Sequence, residues 1–72
     1  MSVFYVVRSR DQWSVEAGAA TLGPFASRRY ATGLAIDAAV GAGLQGTPCR
    51  VIAQAENDDN WETVWPPSAE QY

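Results

Sequence analysis

The chain has no histidine and no lysine, and it has a single cysteine, Cys49, among its 72 residues. One cysteine excludes a disulfide bond within the chain. One cysteine without histidine also excludes a structural zinc site, which needs four such ligands. The lack of histidine removes the commonest general base and metal ligand of proteins. We therefore expect no catalytic residues, no bound cofactor and no metal site.

The sequence also lacks a long hydrophobic run. Its first residues, MSVFYVVRSRDQW, have neither the basic start nor the extended apolar core of a secretory signal peptide. Asp37 and several glycines interrupt the most apolar stretch, which is therefore too short to span a membrane. We expect a cytoplasmic protein without a membrane partner, in which Cys49 stays reduced.

Positive charge is scarce. All five basic residues are arginine, and the net charge is −3 at pH 7. This balance disfavours non-specific binding to nucleic acid, which relies on cations that neutralise phosphates. The bias toward arginine, alanine and glycine is typical of a high-GC bacterial genome. A chain of this length forms one domain of marginal stability, and self-association is the remaining way to reinforce it.

The N-terminal third predicts a β-hairpin. Val3–Arg8 are β-branched and aromatic, as in strands. A polar turn follows, and residues 13–17 then alternate, with Trp13 and Val15 on one face. Residues 20–22 predict a short third strand that ends before Gly23-Pro24, because proline cannot donate to a strand ladder.

The stretch Ser27 to Leu44 predicts the one helix, with Ser27 as its N-cap and Phe25 packed on its first turn. Its end is expected between Ala42 and Leu44, before Pro48. At 100° per residue, one stripe of small side chains would face a sheet. This predicted core stripe consists of Ala31, Leu34, Ala35, Ala38 and Ala42.

The C-terminal part predicts a second hairpin. Cys49–Gln54 form a fourth strand, the polar run 56–60 forms the loop, and Trp61–Trp65 form a fifth strand. The fold class is therefore α+β. We predict a single antiparallel sheet of four to five strands with one helix on one face, in the order β-β-(β)-α-β-β. Residues 1–66 form the domain and 67–72 a C-terminal tail; how the second hairpin joins the first is left open.

The helix is apolar around nearly its whole circumference, whereas a single sheet can bury only one face of a helix. A second stripe, roughly opposite the core stripe, holds Ile36, Val40 and Leu44. These three residues predict an exposed patch that docks on a partner. The simplest partner is a second copy, which would give a homodimer with a two-fold interface; another protein is the alternative.

The open face of the sheet suggests a different function. Tyr5, Trp61 and Trp65 are expected to lie on this face. Aromatic side chains with arginines nearby suit single-stranded nucleic acid, with Arg8, Arg10 and Trp13 as the contacts. The net negative charge of the chain favours the simpler interpretation that these aromatics only cover the second face of the sheet.

Two other sets of residues, an acidic run and the single cysteine, do not indicate a functional site. Glu56, Asp58, Asn60 and Glu62 offer oxygens at alternate positions, as calcium loops do, but the run lacks the turn glycine of such loops. It is interpreted as a solvated hairpin turn. Cys49 has no histidine to activate it and is expected to be a buried, inert thiol.

Two resemblances follow from these residues. The chain resembles small bacterial domains of unknown function that combine a Tyr-Val-Val strand, a Trp-x-Val strand, an alanine-rich helix and a terminal hairpin. The matching residues are Tyr5-Val6-Val7, Trp13-Ser14-Val15, the helix from Ser27 to Ala39, and Arg50-Val51-Ile52. This resemblance covers most of the chain and implies a fold without an activity.

Leu22-Gly23-Pro24-Phe25 and the helix that follows are similar to the three-stranded DNA-binding modules of plant AP2 factors and phage integrase arms. Those modules read DNA with basic and aromatic residues on the sheet, which implies a role for Arg8, Arg10 and Trp13. The chain departs from them in its acidity, its lack of lysine and its two additional strands. The sequence thus favours a non-catalytic, self-associating interaction module, with nucleic-acid binding through the sheet as the alternative.

Overall fold

A computed structural model describes residues 2–57 and 59–66. The predicted tail, 67–72, lies outside the described residues. The six elements form two layers, in which one helix packs on one face of a single sheet. In chain order they are β1 (Ser2–Ser9), β2 (Gln12–Ala17), β3 (Ala20–Phe25), α1 (Arg28–Leu44), β4 (Cys49–Gln54) and β5 (Trp61–Trp65). The α+β class and the element order are confirmed.

The sheet is mixed rather than antiparallel, with the strand order β3-β2-β1-β4-β5. β1 pairs with β2 in antiparallel fashion and with β4 in parallel fashion, with Tyr5 opposite both Glu16 and Ile52. The prediction of an antiparallel sheet was wrong at this one seam. β3 runs parallel to β1, and α1 carries the chain back across the sheet, so β4 starts at the same end as β1.

β3 is longer than the sequence predicted. It continues to Phe25, which pairs with Trp13, because one extra residue forms a bulge between the pairs of Trp13 and Val15. Pro24 is tolerated since β3 is an edge strand and Pro24 itself lies in the bulge, between the paired residues Leu22 and Phe25. Gly23, in the bulge, has a φ of +112°.

The helix starts as expected. The Ser27 hydroxyl accepts a hydrogen bond from the Tyr30 amide at 3.0 Å, which satisfies one free N–H of the first turn. The Phe25 ring packs edge to face on Tyr30, with centroids 5.3 Å apart. Both contacts confirm the predicted N-terminus.

The core lies between α1 and the inner faces of the three central strands. Its buried side chains are Val6, Trp13, Val15, Val51 and Ala53 of the sheet and Ala31, Ala35 and Ala39 of the helix. Small helical side chains let the helix approach the sheet closely, and the valines and Trp13 fill the space between them.

The predicted core stripe of α1 needs a correction. Ala31 and Ala35 are buried, but Ala39 is the third buried alanine and Ala38 is exposed. The helix packs most extensively on β4, and Arg28 reaches the backbone of Gln54. This placement rotates Ala39 toward the sheet and Ala38 away from it.

Candidate interaction surfaces

The sheet has one face that no described element covers, because α1 packs against all five strands from the other side. Successive side chains of a strand point to opposite faces of the sheet. The strand residues that alternate with the buried ones therefore lie on this open face. Its apolar members are Val3, Tyr5, Val7, Ile52 and Trp61. We call these five side chains the sheet patch.

Tyr5 and Trp61 form the centre of the sheet patch. Their rings meet edge to face, with centroids 5.9 Å apart and planes at 86°. Tyr5 pairs with Ile52 and Trp61 pairs with Gln54, so the indole lies across β4 to reach the tyrosine. The two side chains remain 41% and 49% exposed. The predicted location of both residues on the open face is therefore confirmed.

Trp65 does not join them. A register shift between Val51 and Ile52 inserts one residue into β5, and Trp65 pairs with Val51. Because Val51 is a buried core residue, Trp65 packs against the core instead of the open face. The sequence predicted strict alternation and missed this bulge.

Two charged side chains lie on the strands of the open face, one of each sign. Glu16 on β2 is opposite Tyr5, and Arg50 on β4 is opposite Val3. Both are exposed, and no ion pair to either one is found among residues 2–57 and 59–66. The open face is therefore an aromatic and aliphatic centre flanked by two opposite charges.

The predicted helix patch is smaller than expected. Leu44 is 86% exposed and Val40 is 38% exposed, as the hypothesis of a docking surface requires. Ile36 is partly buried and packs against the core. The rotation that buries Ala39 also brings Ile36 into contact with the core, so two of the three predicted residues form the exposed surface.

The predicted nucleic-acid contacts do not come together on one surface. Trp13 is 6% exposed and lies in the core beneath α1. Arg8 binds the β4–β5 loop, while Arg10 lies in the β1–β2 turn, where its φ is +59°. With the indole buried and Arg8 engaged, these three residues do not form a binding surface for bases.

Two arginines instead fix the second hairpin, a role that the sequence did not reveal. The Arg8 guanidinium donates to the carbonyl oxygens of Ala55 and Glu56 and lies 3.3 Å from the Asp59 carboxylate. Arg28 Nε donates to the Gln54 carbonyl at 2.9 Å. The other end of the Arg28 guanidinium lies 3.1 Å from Glu62. These contacts join distant segments of the chain, so no local pattern in the sequence indicates them.

The acidic loop does not assemble a metal site in the part of the chain that the structure describes. No group of three or more histidine, cysteine or carboxylate side chains converges there, and Asp58 lies outside the described residues. Glu62 pairs with Arg28. Cys49 is half-buried rather than buried as predicted, since it lies at the start of β4, and its Sγ donates to the Thr47 carbonyl at 3.4 Å.

An open groove of about 600 Å³ wraps around one end of the sheet. Phe4, Ala17, Ala42 and Cys49 are among its lining residues. Glu16 provides the only carboxylate among the described lining residues. The groove joins the open face at Tyr5 and extends the apolar surface around that end of the sheet.

No helix in residues 2–57 and 59–66 combines the length and the hydropathy needed to cross a membrane. Comparison of the chain with protein-family models, with curated proteins and with solved structures finds no match.

Proposed function

We propose that this chain is a non-catalytic interaction module that self-associates through the open face of its sheet. The observation that carries the proposal is the edge-to-face pair of Tyr5 and Trp61, which is half exposed on a face that no described element covers. Large exposed aromatics are the residues that most often dominate binding at protein interfaces.

The arrangement of the sheet patch supports this function. Tyr5 and Trp61 hold each other in place, so little side-chain entropy is lost when a partner binds. Val3, Val7 and Ile52 surround the pair, and polar side chains such as Ser14 and Thr63 form the margin. An apolar centre with a polar rim is the usual composition of a protein interface.

The lack of histidine supports a non-catalytic role, because no nucleophile on the chain has an imidazole to activate it. Self-association would also reinforce a domain of this size, which has a small core and no disulfide. The cytoplasm is the compartment that we propose for this module, in line with its lone unpaired thiol.

The outer face of α1 is a second candidate surface for the same function. Val40 and Leu44 are both exposed and lie one helical turn apart. We rank this pair below the sheet patch, because Ile36 packs against the core and leaves a narrow apolar strip.

Single-stranded nucleic acid is the second candidate function. One observation favours it, namely the exposed rings of Tyr5 and Trp61 on an open sheet face that also carries Arg50. Such rings are stacking platforms for bases. Titration with a short oligonucleotide at low salt tests it, and a salt-dependent shift of tryptophan fluorescence that is absent from Trp61→Ser would support it.

Sedimentation equilibrium tests self-association and separates the two surfaces. We expect the wild-type chain to dimerise reversibly as its concentration rises from about 10 to about 500 µM. Trp61→Ser should make it monomeric, whereas Val40→Glu, the matched change on the helix, should leave the dimer intact. Far-ultraviolet circular dichroism checks that both variants keep their fold.

Each outcome decides one point. A wild-type monomer throughout this range would overturn self-association. A dimer that Val40→Glu disrupts and Trp61→Ser preserves would move the interface from the sheet to the outer face of α1.

A further inference from the structure

The two charged residues of the open face lie on opposite sides of β1. Glu16 is on β2 and Arg50 is on β4, and these strands are the two neighbours of the central strand. Along the strands they differ by two positions, since Glu16 is opposite Tyr5 and Arg50 is opposite Val3. The face therefore has one negative and one positive side.

We infer that two copies stack face to face around a two-fold axis parallel to β1, with Glu16 of each copy beside Arg50 of the other. The inference rests on the proposed function and adds which partner binds and in which orientation. Rotation about such an axis exchanges left and right, so β2 of one copy lies over β4 of the other. Both charges, which have no ion pair among the described residues, then gain a partner, and the pairs occur twice.

The other arrangement that keeps the strands of the two copies aligned has the axis across the strands. In that arrangement β2 lies over β2 and β4 over β4, which brings glutamate toward glutamate and arginine toward arginine. Like charges facing each other across an interface are unfavourable. The positions of Glu16 and Arg50 therefore select one of the two arrangements.

The dimensions allow the contact. Stacked sheets lie about 10 Å apart, and two positions along a strand span about 6.6 Å. The long, flexible side chains of Glu16 and Arg50 can bridge this offset at the edge of the aromatic centre. In the middle of the interface, the sheet patch of one copy meets that of the other.

The area is sufficient for a weak, closed dimer. Five strands at a spacing of about 4.8 Å, each about six residues long, give a face of roughly 500 Å² per copy. Two such faces bury roughly 1,000 Å², which is at the lower limit for a specific interface. A two-fold pair uses the open face of both copies, so the assembly stops at two.

Charge reversal tests the arrangement. Glu16→Arg places two arginines opposite each other at both ends of the interface, and Arg50→Glu does the same with glutamates. We expect each variant alone to dimerise about tenfold more weakly than the wild type, because two ion pairs are lost and replaced by repulsion. An equimolar mixture of the two variants should form a heterodimer with near wild-type affinity.

The double variant that carries both reversals should also regain the wild-type dissociation constant, since its charges are again complementary. Glu56→Arg, an exposed change outside the open face, is the matched control and should leave dimerisation unchanged. Dissociation constants come from sedimentation equilibrium, and circular dichroism confirms that each variant is folded.

The results separate this inference from the function on which it rests. A dimer that is insensitive to both reversals, or a mixture that fails to restore affinity, overturns the proposed arrangement but leaves self-association in place. A wild-type chain that stays monomeric overturns both.

Discussion

The rings of Tyr5 and Trp61 meet edge to face at 5.9 Å although β4 lies between their two strands. The contact joins the central strand to the edge strand β5 on the open face of the sheet. Aromatic pairs in this geometry stabilise a fold beyond the area that they bury. The pair therefore has a structural role in the single chain as well as a proposed role in binding.

Trp61→Ala should lower the free energy of unfolding by about 1–2 kcal/mol, through loss of the aromatic contact and of apolar cover over β4. Trp61→Phe keeps a ring within reach of Tyr5 and should lose less than half as much. Urea unfolding at a protein concentration of a few micromolar, with any dimer dissociated, measures both values. Equal losses in the two variants would show that the ring contact contributes nothing.

Gly23→Ala should destabilise the fold by about 2 kcal/mol or more. The backbone φ of +112° is one that L side chains rarely adopt, and an added Cβ would lie 3.1 Å from the Trp13 carbonyl oxygen. Gly33→Ala is the matched control, because a Cβ there meets open space on α1. It should raise the free energy of unfolding by about 0.5–1 kcal/mol. Thermal unfolding of the pair should thus shift in opposite directions.

Ala35→Leu should cost about 2 kcal/mol, because the larger side chain must push α1 away from the sheet. Ala38→Leu makes the same change at an exposed position of the helix and should alter stability by less than about 0.5 kcal/mol. Chemical unfolding of both variants checks the rotation of the helix directly. If Ala38→Leu proved the more harmful of the two, the orientation of α1 described above would be wrong.

Arg28→Ala should lower the free energy of unfolding by about 1.5 kcal/mol, since it removes the hydrogen bond to the Gln54 carbonyl and the contact with Glu62. Arg29→Ala removes the neighbouring guanidinium, which is exposed, and should change stability by less than about 0.5 kcal/mol. Amide hydrogen exchange gives a second measurement: only Arg28→Ala should accelerate exchange in the β4–β5 hairpin.

Much of the fold follows from local patterns in the sequence. Alternation places Trp13 and Val15 on one face, and Ser27 sets the start of the helix through a contact three residues away. Two features escaped prediction for different reasons. The parallel seam between β1 and β4 depends on pairing between distant parts of the chain, whereas the bulge that turns Trp65 inward is an extra residue in a hairpin strand, which strict alternation does not include.

The candidate surfaces were also predicted only in part. Strand periodicity put Tyr5 and Trp61 on the open face, and the structure confirms it. Helical periodicity alone placed Ile36 opposite the sheet, but the rotation of a helix also depends on what its ends contact. Arg28 supplies such a contact at Gln54, and no repeat within α1 encodes it.

The parallel seam also has a consequence for the order of folding. The β1–β2 and β4–β5 ladders join neighbouring stretches of chain and can close on a microsecond scale, as hairpins do. Val6 and Ala53, however, are separated in the chain by β2, β3 and α1, so they pair only after these elements have been placed. The central strand of the sheet is thus the first to be synthesised and among the last to gain its second neighbour. The folding rate of this small chain is set by one long-range closure, not by its many short turns.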